Sequence, residues 1–150
     1  MRCIAGFFIA LFVAGCPASN TLTGSISQSH DLSFDTVALK LLTGQLAYEL
    51  KYLLPLEGGG EDVVAKIVFN QPAGGVVVDQ EIDLVAVAGR VERVTAANDP
   101  FPAGLTTAQA TFSVGGNEGG ESTAGKFAAT FDNGKTLNGS FETVLEIVDF

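Results

Sequence analysis

The chain has no tryptophan, one methionine, one histidine and two cysteines, and its basic residues are few. Each shortage removes a class of function. His30 and two cysteines cannot supply the nitrogen and sulfur ligands that a zinc site collects. Cys3 and Cys16 both lie among the first sixteen residues, so the rest of the chain has no disulfide and must hold its fold by its core alone. Eight Lys and Arg against seventeen Asp and Glu give a net charge of −9. That balance argues against a nucleic-acid surface and against a basic patch docking on anionic lipid. Without Trp, the chain also lacks the ring that most often stacks on sugar.

What is present points to strands and turns. There are 18 Gly and 11 Phe, with many Val and Thr, a composition that suits pleated sheet better than helix. Residues 16–150 amount to one domain, long enough to bury a self-sufficient core.

The N-terminus reads MRCIAGFFIALFVAGC. Arg2 is its only charged side chain, and Ile4 to Ala14 is an unbroken apolar stretch. A positive start followed by an apolar run of this length has the form of an export signal. A helix that crosses a bilayer needs about 20 apolar residues, so the run is too short to be a permanent span. It ends in Val13-Ala14-Gly15-Cys16. Those four residues resemble the lipobox of bacterial lipoproteins: an aliphatic residue, two small ones and an obligatory cysteine.

The resemblance implies cleavage before Cys16, a diacylglycerol joined to its thiol, and acylation of the new amino terminus. Val13, Ala14 and Gly15 would be the peptidase recognition residues. Two or more acyl chains anchor a protein stably, where one chain alone binds marginally. Pro17 stands where an Asp would resemble an inner-membrane retention signal, which points to the outer membrane, facing the periplasm or the cell surface. The expected organisation is a signal peptide over 1–15, a lipidated N-terminus with tether or first strand over 16–29, and a β domain over 30–150.

After a Ser/Thr-rich lead-in that becomes a first strand near Leu22–Ser27, apolar runs alternate with Gly-, Asn-, Asp- and Pro-rich breaks. This is the pattern of an antiparallel all-β domain, a sandwich or partly closed barrel of about eight strands. The expected strands are Asp31–Leu42, Leu46–Leu54, Val63–Asn70, Val76–Val87, Arg90–Thr95, Ala108–Val114, Ser122–Phe131 and Thr136–Val148. Residues 39–54 are ambiguous. Leu39, Leu42, Leu46, Leu50 and Leu53 have helical spacing, whereas Leu46, Tyr48, Leu50, Tyr52 and Leu54 alternate as on a strand. Thr43-Gly44 and the two tyrosines favour strands.

The C-terminal hairpin is the best-determined piece. Gly125, Phe127, Ala129 and Phe131 share one face, as do Leu137, Gly139, Phe141, Thr143, Leu145 and Ile147. Facing residues across a ladder lie on the same side of the sheet, and both sets are odd-numbered, so the loop must contain an odd number of residues. A two-residue Asn133-Gly134 turn fails that test. A three-residue Asp132-Asn133-Gly134 loop with Gly134 left-handed passes it. Phe127 then faces Gly139, and Phe141 faces Gly125, each ring covering a bare backbone. Thr21–Ile26 echoes Thr136–Phe141, which marks either two edges of one sandwich or chance. The segments GGGEDVVAKIVFN and FDNGKTLNGSFE make the chain similar to small Gly-rich lipoproteins of Gram-negative bacteria, a resemblance that implies an all-β lipoprotein domain and no chemistry.

No catalytic constellation emerges. Gly120–Phe127 approaches a P-loop, but Phe127 stands where a hydroxyl must hold Mg²⁺, and the segment alternates as a strand. His30 lies beside Ser29 and Asp31, yet neighbours in sequence do not make a triad and no Gly-x-Ser-x-Gly elbow exists. Glu142 with Glu146, and Glu81 with Asp83, form same-face carboxylate pairs of the kind a glycosidase could use, though solvated strand faces explain them better. Asp99, Glu118, Glu121, Asp132 and Asn133 lie in breaks and are hard oxygen ligands. They leave Ca²⁺ as a minor expectation, without an EF-hand loop to hold it. The expected function is that of a non-enzymatic envelope lipoprotein with a partner-binding or structural β domain. The alternative is a small exported hydrolase using acidic residues or His30.

Overall fold

The structure, a computed structural model, describes residues 20–149. Among them it is all-β, with nine strands and no α-helix. The strands are β1 (Thr21–Thr23), β2 (Thr36–Leu42), β3 (Ala47–Pro55), β4 (Glu61–Asn70), β5 (Glu81–Asp83), β6 (Arg90–Val94), β7 (Leu105–Val114), β8 (Ser122–Phe131) and β9 (Thr136–Val148). They hydrogen-bond in the order β5-β7-β8-β9-β2-β3-β4-β6, with β1 added beside β9, and do not close into a barrel.

Strand β9 makes this a sandwich. Its first part pairs with β8 on one edge and, over residues 138–140, with β1 on the other. Its last residues, Leu145 to Val148, pair with β2 instead. One long strand thus belongs to two sheets, β1-β9-β8-β7-β5 and β9-β2-β3-β4-β6, which face each other. Tyr48 and Tyr52 of the second sheet meet Phe112 and Phe127 of the first at centroid separations of 5.7 and 6.0 Å. Both tyrosines are fully buried, and their hydroxyls donate to the carbonyls of Gly116 and Ser140. Burial pushes both phenols above their ordinary range.

The hairpin has the expected register. Phe127 pairs with Gly139 and Gly125 with Phe141. The Phe131 amide donates to the Lys135 carbonyl, which closes a three-residue loop with Gly134 at φ 80°. A Cβ on Gly139 would lie 2.4 Å from the Phe127 ring, and one on Gly125 2.6 Å from Phe141. The rings therefore rest on the glycine backbones.

Residues 39–54 are two strands joined by a turn in which Leu46 has φ 48° and is exposed. Four expectations are corrected. The strand expected over Val76–Val87 shrinks to Glu81–Asp83, because its apolar residues come in runs without a period of two. The strand expected from Asp31 begins at Thr36, since Asp31 closes a local turn by accepting from the Ser33 amide and hydroxyl. The first strand stops at Thr23 and gives way to a 3₁₀ turn over Ser25–Gln28 that buries Ile26. The sheet is not wholly antiparallel, because β2 runs parallel to β9. The two echoing segments, expected to mark two edges of one sandwich or chance, are paired neighbours: Thr21 pairs with Ser140 and Thr23 with Asn138.

Candidate functional site

The lipobox residues Val13, Ala14, Gly15 and Cys16 lie outside the described residues. Within those residues, the most site-like feature is a groove of about 390 Å³ on the outer face of the first sheet. Its lining follows from the register. Thr111, Lys126, Ser140 and Thr21 form one row across four strands. Gln109, Ala128, Asn138 and Thr23 form the next. Strand alternation sends these side chains outward while Phe127, Gly139 and Ala110 face the core. Ala128 leaves the depression, since its neighbours in the row are longer.

Lys126 gives this groove its electrostatic character. Lys40, Lys51, Lys66, Arg90 and Arg93 are ion-paired, and Lys135 donates to Gln28. Among the described residues, Lys126 is thus the one basic side chain without a polar partner. It is surrounded by hydroxyl and amide groups, an arrangement that can hold a polar ligand carrying negative charge and offers no nucleophile-base pair.

The other candidate residues do not converge. His30 Nδ1 lies 2.9 Å from the Ser29 hydroxyl, and its Nε2 lies 3.2 Å from the Pro100 carbonyl. The ring packs edge-on against Phe101. Asp31 turns to Ser33 rather than to the imidazole, and this lowers its pKa. The serine, histidine and aspartate therefore form no relay.

The carboxylates are dispersed or already engaged. Glu146 pairs with Lys40 at 3.3 Å, while Glu142, Glu81 and Asp83 lie exposed on outer faces. Glu121 Oε1 accepts the amides of Gly116, Asn117 and Glu118 at 2.7–2.8 Å, and these backbone dipoles lower its pKa. That clasp organises the Gly115–Gly120 loop, just ahead of the Gly120–Phe127 segment that approached a P-loop in sequence and is strand β8 from Ser122. Asp132 and Asn133 belong to the hairpin turn. No group of three His, Cys, Asp or Glu able to hold a metal occurs among the described residues.

Sequence reasoning missed the tightest polar cluster. Arg93, with its side chain 6 % exposed, forks onto Asp99 through Nε and Nη2, both at 3.1 Å. Its Nη1 donates to the carbonyls of Asp31 and Val64. Thr95 also donates to Asp99. The guanidinium and these donors push the Asp99 carboxyl down to about 2. The cluster binds β6 to β4 and to the lead-in. With its donors consumed internally, Arg93 has structural rather than catalytic chemistry.

Comparison with known protein families, curated proteins and solved structures finds no match for this chain.

Proposed function

We propose that the chain is the precursor of a membrane-anchored envelope lipoprotein whose β-sandwich is non-catalytic and serves a partner-binding or structural role. The carrying observation is Val13-Ala14-Gly15-Cys16 at the end of an export-length apolar run. The dispersal of the carboxylates and the isolation of His30 from Asp31 support a domain without a reaction centre. The groove around Lys126 is the face best suited to a polar partner.

The test is Cys16→Ser expressed in a Gram-negative host. The parent should carry acyl chains by mass spectrometry and float with membranes. The variant should carry none and should be either uncleaved or released in soluble form. A processed Ser variant that stays on membranes through detergent-free washing would overturn the anchoring. For the partner role, Lys126→Glu should abolish recovery of a cross-linked envelope component without changing the melting temperature. Unchanged recovery would remove the groove from the proposal.

A further inference from the structure

We infer that one end of the sandwich is built to lie against the bilayer, an inference that rests on the lipid anchor proposed at Cys16. The topology gathers four chain segments at this end: the β2–β3 turn (43–46), the β4–β5 connection (71–80), the β7–β8 loop (115–121) and the end of β9. Backbone bonds join them into one surface. The Gln71 amide donates to Leu46, Gly120 to Leu145 and Thr43 to Val148. Asn117 exchanges two 2.8 Å bonds with Val76.

Exposed apolar side chains are concentrated there. Leu46, Val77, Val78, Val114, Val144 and Ile147, which are 42–61 % exposed, all belong to this end, whereas Leu56 and Val94 lie at the opposite end and Val85 beside Thr106 and Thr107. Such clustering on an otherwise acidic domain marks a surface that meets an apolar or amphipathic partner.

The route of the chain selects lipid as that partner. Strand β1 runs antiparallel to β9, so Asn20 and Thr21 are the residues of this segment nearest to this end. Asn20 is held there, its Oδ1 accepting the Glu142 amide at 2.6 Å. Val144 is two residues along β9, and Val114 lies two strands across, opposite Ala124, which faces Glu142. Cys16 is four residues before Asn20, a reach of at most about 14 Å even when fully extended. A lipidated Cys16 at headgroup level therefore leaves this end little room to stand away from the membrane.

Carboxylates lie at both ends. The far end carries Asp35, Glu57, Glu61, Asp62 and Asp132. Of the carboxylates at the near end, Glu121 is clasped by backbone amides, Glu146 is paired with Lys40, and Asp149 accepts the Thr43 hydroxyl. Asp79, Glu81, Glu118 and Glu142 remain as exposed charges around it, so apolar contact rather than charge carries the seating of this end.

The experiment uses the lipidated mature protein in vesicles of phosphatidylethanolamine and phosphatidylglycerol. Val77→Cys, Val144→Cys and, at the far hairpin turn, Asn133→Cys each carry an environment-sensitive fluorophore. Probes at 77 and 144 should shift to the blue and lose most of their emission to brominated lipid, while the probe at 133 should keep its aqueous spectrum. Equal quenching at all three positions, or quenching at 133 alone, would overturn the orientation. A concentration-dependent blue shift at 77 and 144 without lipid quenching would assign the surface to a second copy of the chain and would likewise overturn it. Flotation and the mass of the acylated N-terminus are measured first. A chain that carries no lipid refutes the anchor itself, whereas a floating chain with unquenched probes refutes only the seating of this end.

Discussion

The β8–β9 hairpin and the segment from Gln71 to Gly89 are both rich in apolar residues, yet one is regular along its whole length and the other keeps three strand residues. The hairpin places a polar or small residue between most successive apolar ones, so a single register buries Phe127, Ala129, Phe131, Leu137, Phe141 and Leu145, and only Val144 and Ile147 near its end stay exposed. In the other segment Val76-Val77-Val78 and Leu84-Val85-Ala86-Val87 come as runs. No pleated strand can send neighbours to the same face, so Val76, Ile82 and Leu84 are buried while Val77, Val78 and Val85 are exposed. The chain turns between them. Asp79 and Ala88 take positive φ, and the Asp83 carboxylate accepts the amides of Val85 and Ala86. Spacing, rather than hydrophobicity, is what makes a strand here.

The largest expected effect lies in the regular region. Phe141→Ala should cost about 3–5 kcal/mol, read from denaturant midpoints, because the ring is buried against Gly125 and Phe112. A loss below about 1 kcal/mol would mean that the ring does not carry the register. Leu84→Ala probes the irregular region. Leu84 is fully buried, so its loss should cost about 2–5 kcal/mol, and near-neutrality would show the segment to be as loose as its irregularity suggests.

Gly134→Val should cost roughly 1–2 kcal/mol. Nothing lies within 4 Å of the added Cβ, so the cost is backbone strain at φ 80° rather than a clash. Gly134→Asn should recover most of it, since Asn tolerates this region. If Val and Asn behave alike, the turn is not left-handed.

The Arg93–Asp99 clasp fixes a pH dependence between the regions. The Asp99 carboxyl lies at about 2 when folded, against an ordinary 3.8. Its contribution is therefore fully present above the ordinary value and is lost as the pH falls towards about 2. Asp99→Asn should remove that component, so the melting temperatures of variant and parent should converge on acidification. A constant gap would assign the difference to packing. The smallest effect is expected for Glu142→Ala, on the outer face next to Phe141, within about 0.5 kcal/mol of the parent. A larger loss would show that the faces of β9 are exchanged.

Much of the fold was legible because alternation and turn chemistry are local. The faces of β8 and β9, the parity of their loop and the left-handed Gly134 all follow from residue order within one stretch. Residues 39–54 carried two periods at once, and Tyr48 and Tyr52 settled them as a strand by supplying hydroxyls that reach Gly116 and Ser140. The candidate site was far less legible. Glu142 and Glu81 read correctly as solvated, but Lys126 drew notice only within a false P-loop. Its significance depends on Thr21, Gln109, Thr111 and Asn138 arriving beside it from three other strands.

By itself, the sequence determined a short apolar export-like run ending in Cys16, a domain without disulfides, and strands whose alternation decided which side chains turn inward. Those are properties of neighbouring residues, and a period of two can be read wherever it occurs. Only the tertiary structure decided that β9 joins two sheets, that β2 runs parallel to it, that Arg93 spends its donors on Asp31, Val64 and Asp99, and that six exposed apolar side chains from four chain segments share one end of the sandwich. Each of these brings together residues far apart in the chain. Their pairing is selected by how all the buried faces can be satisfied together, a condition that no single segment carries.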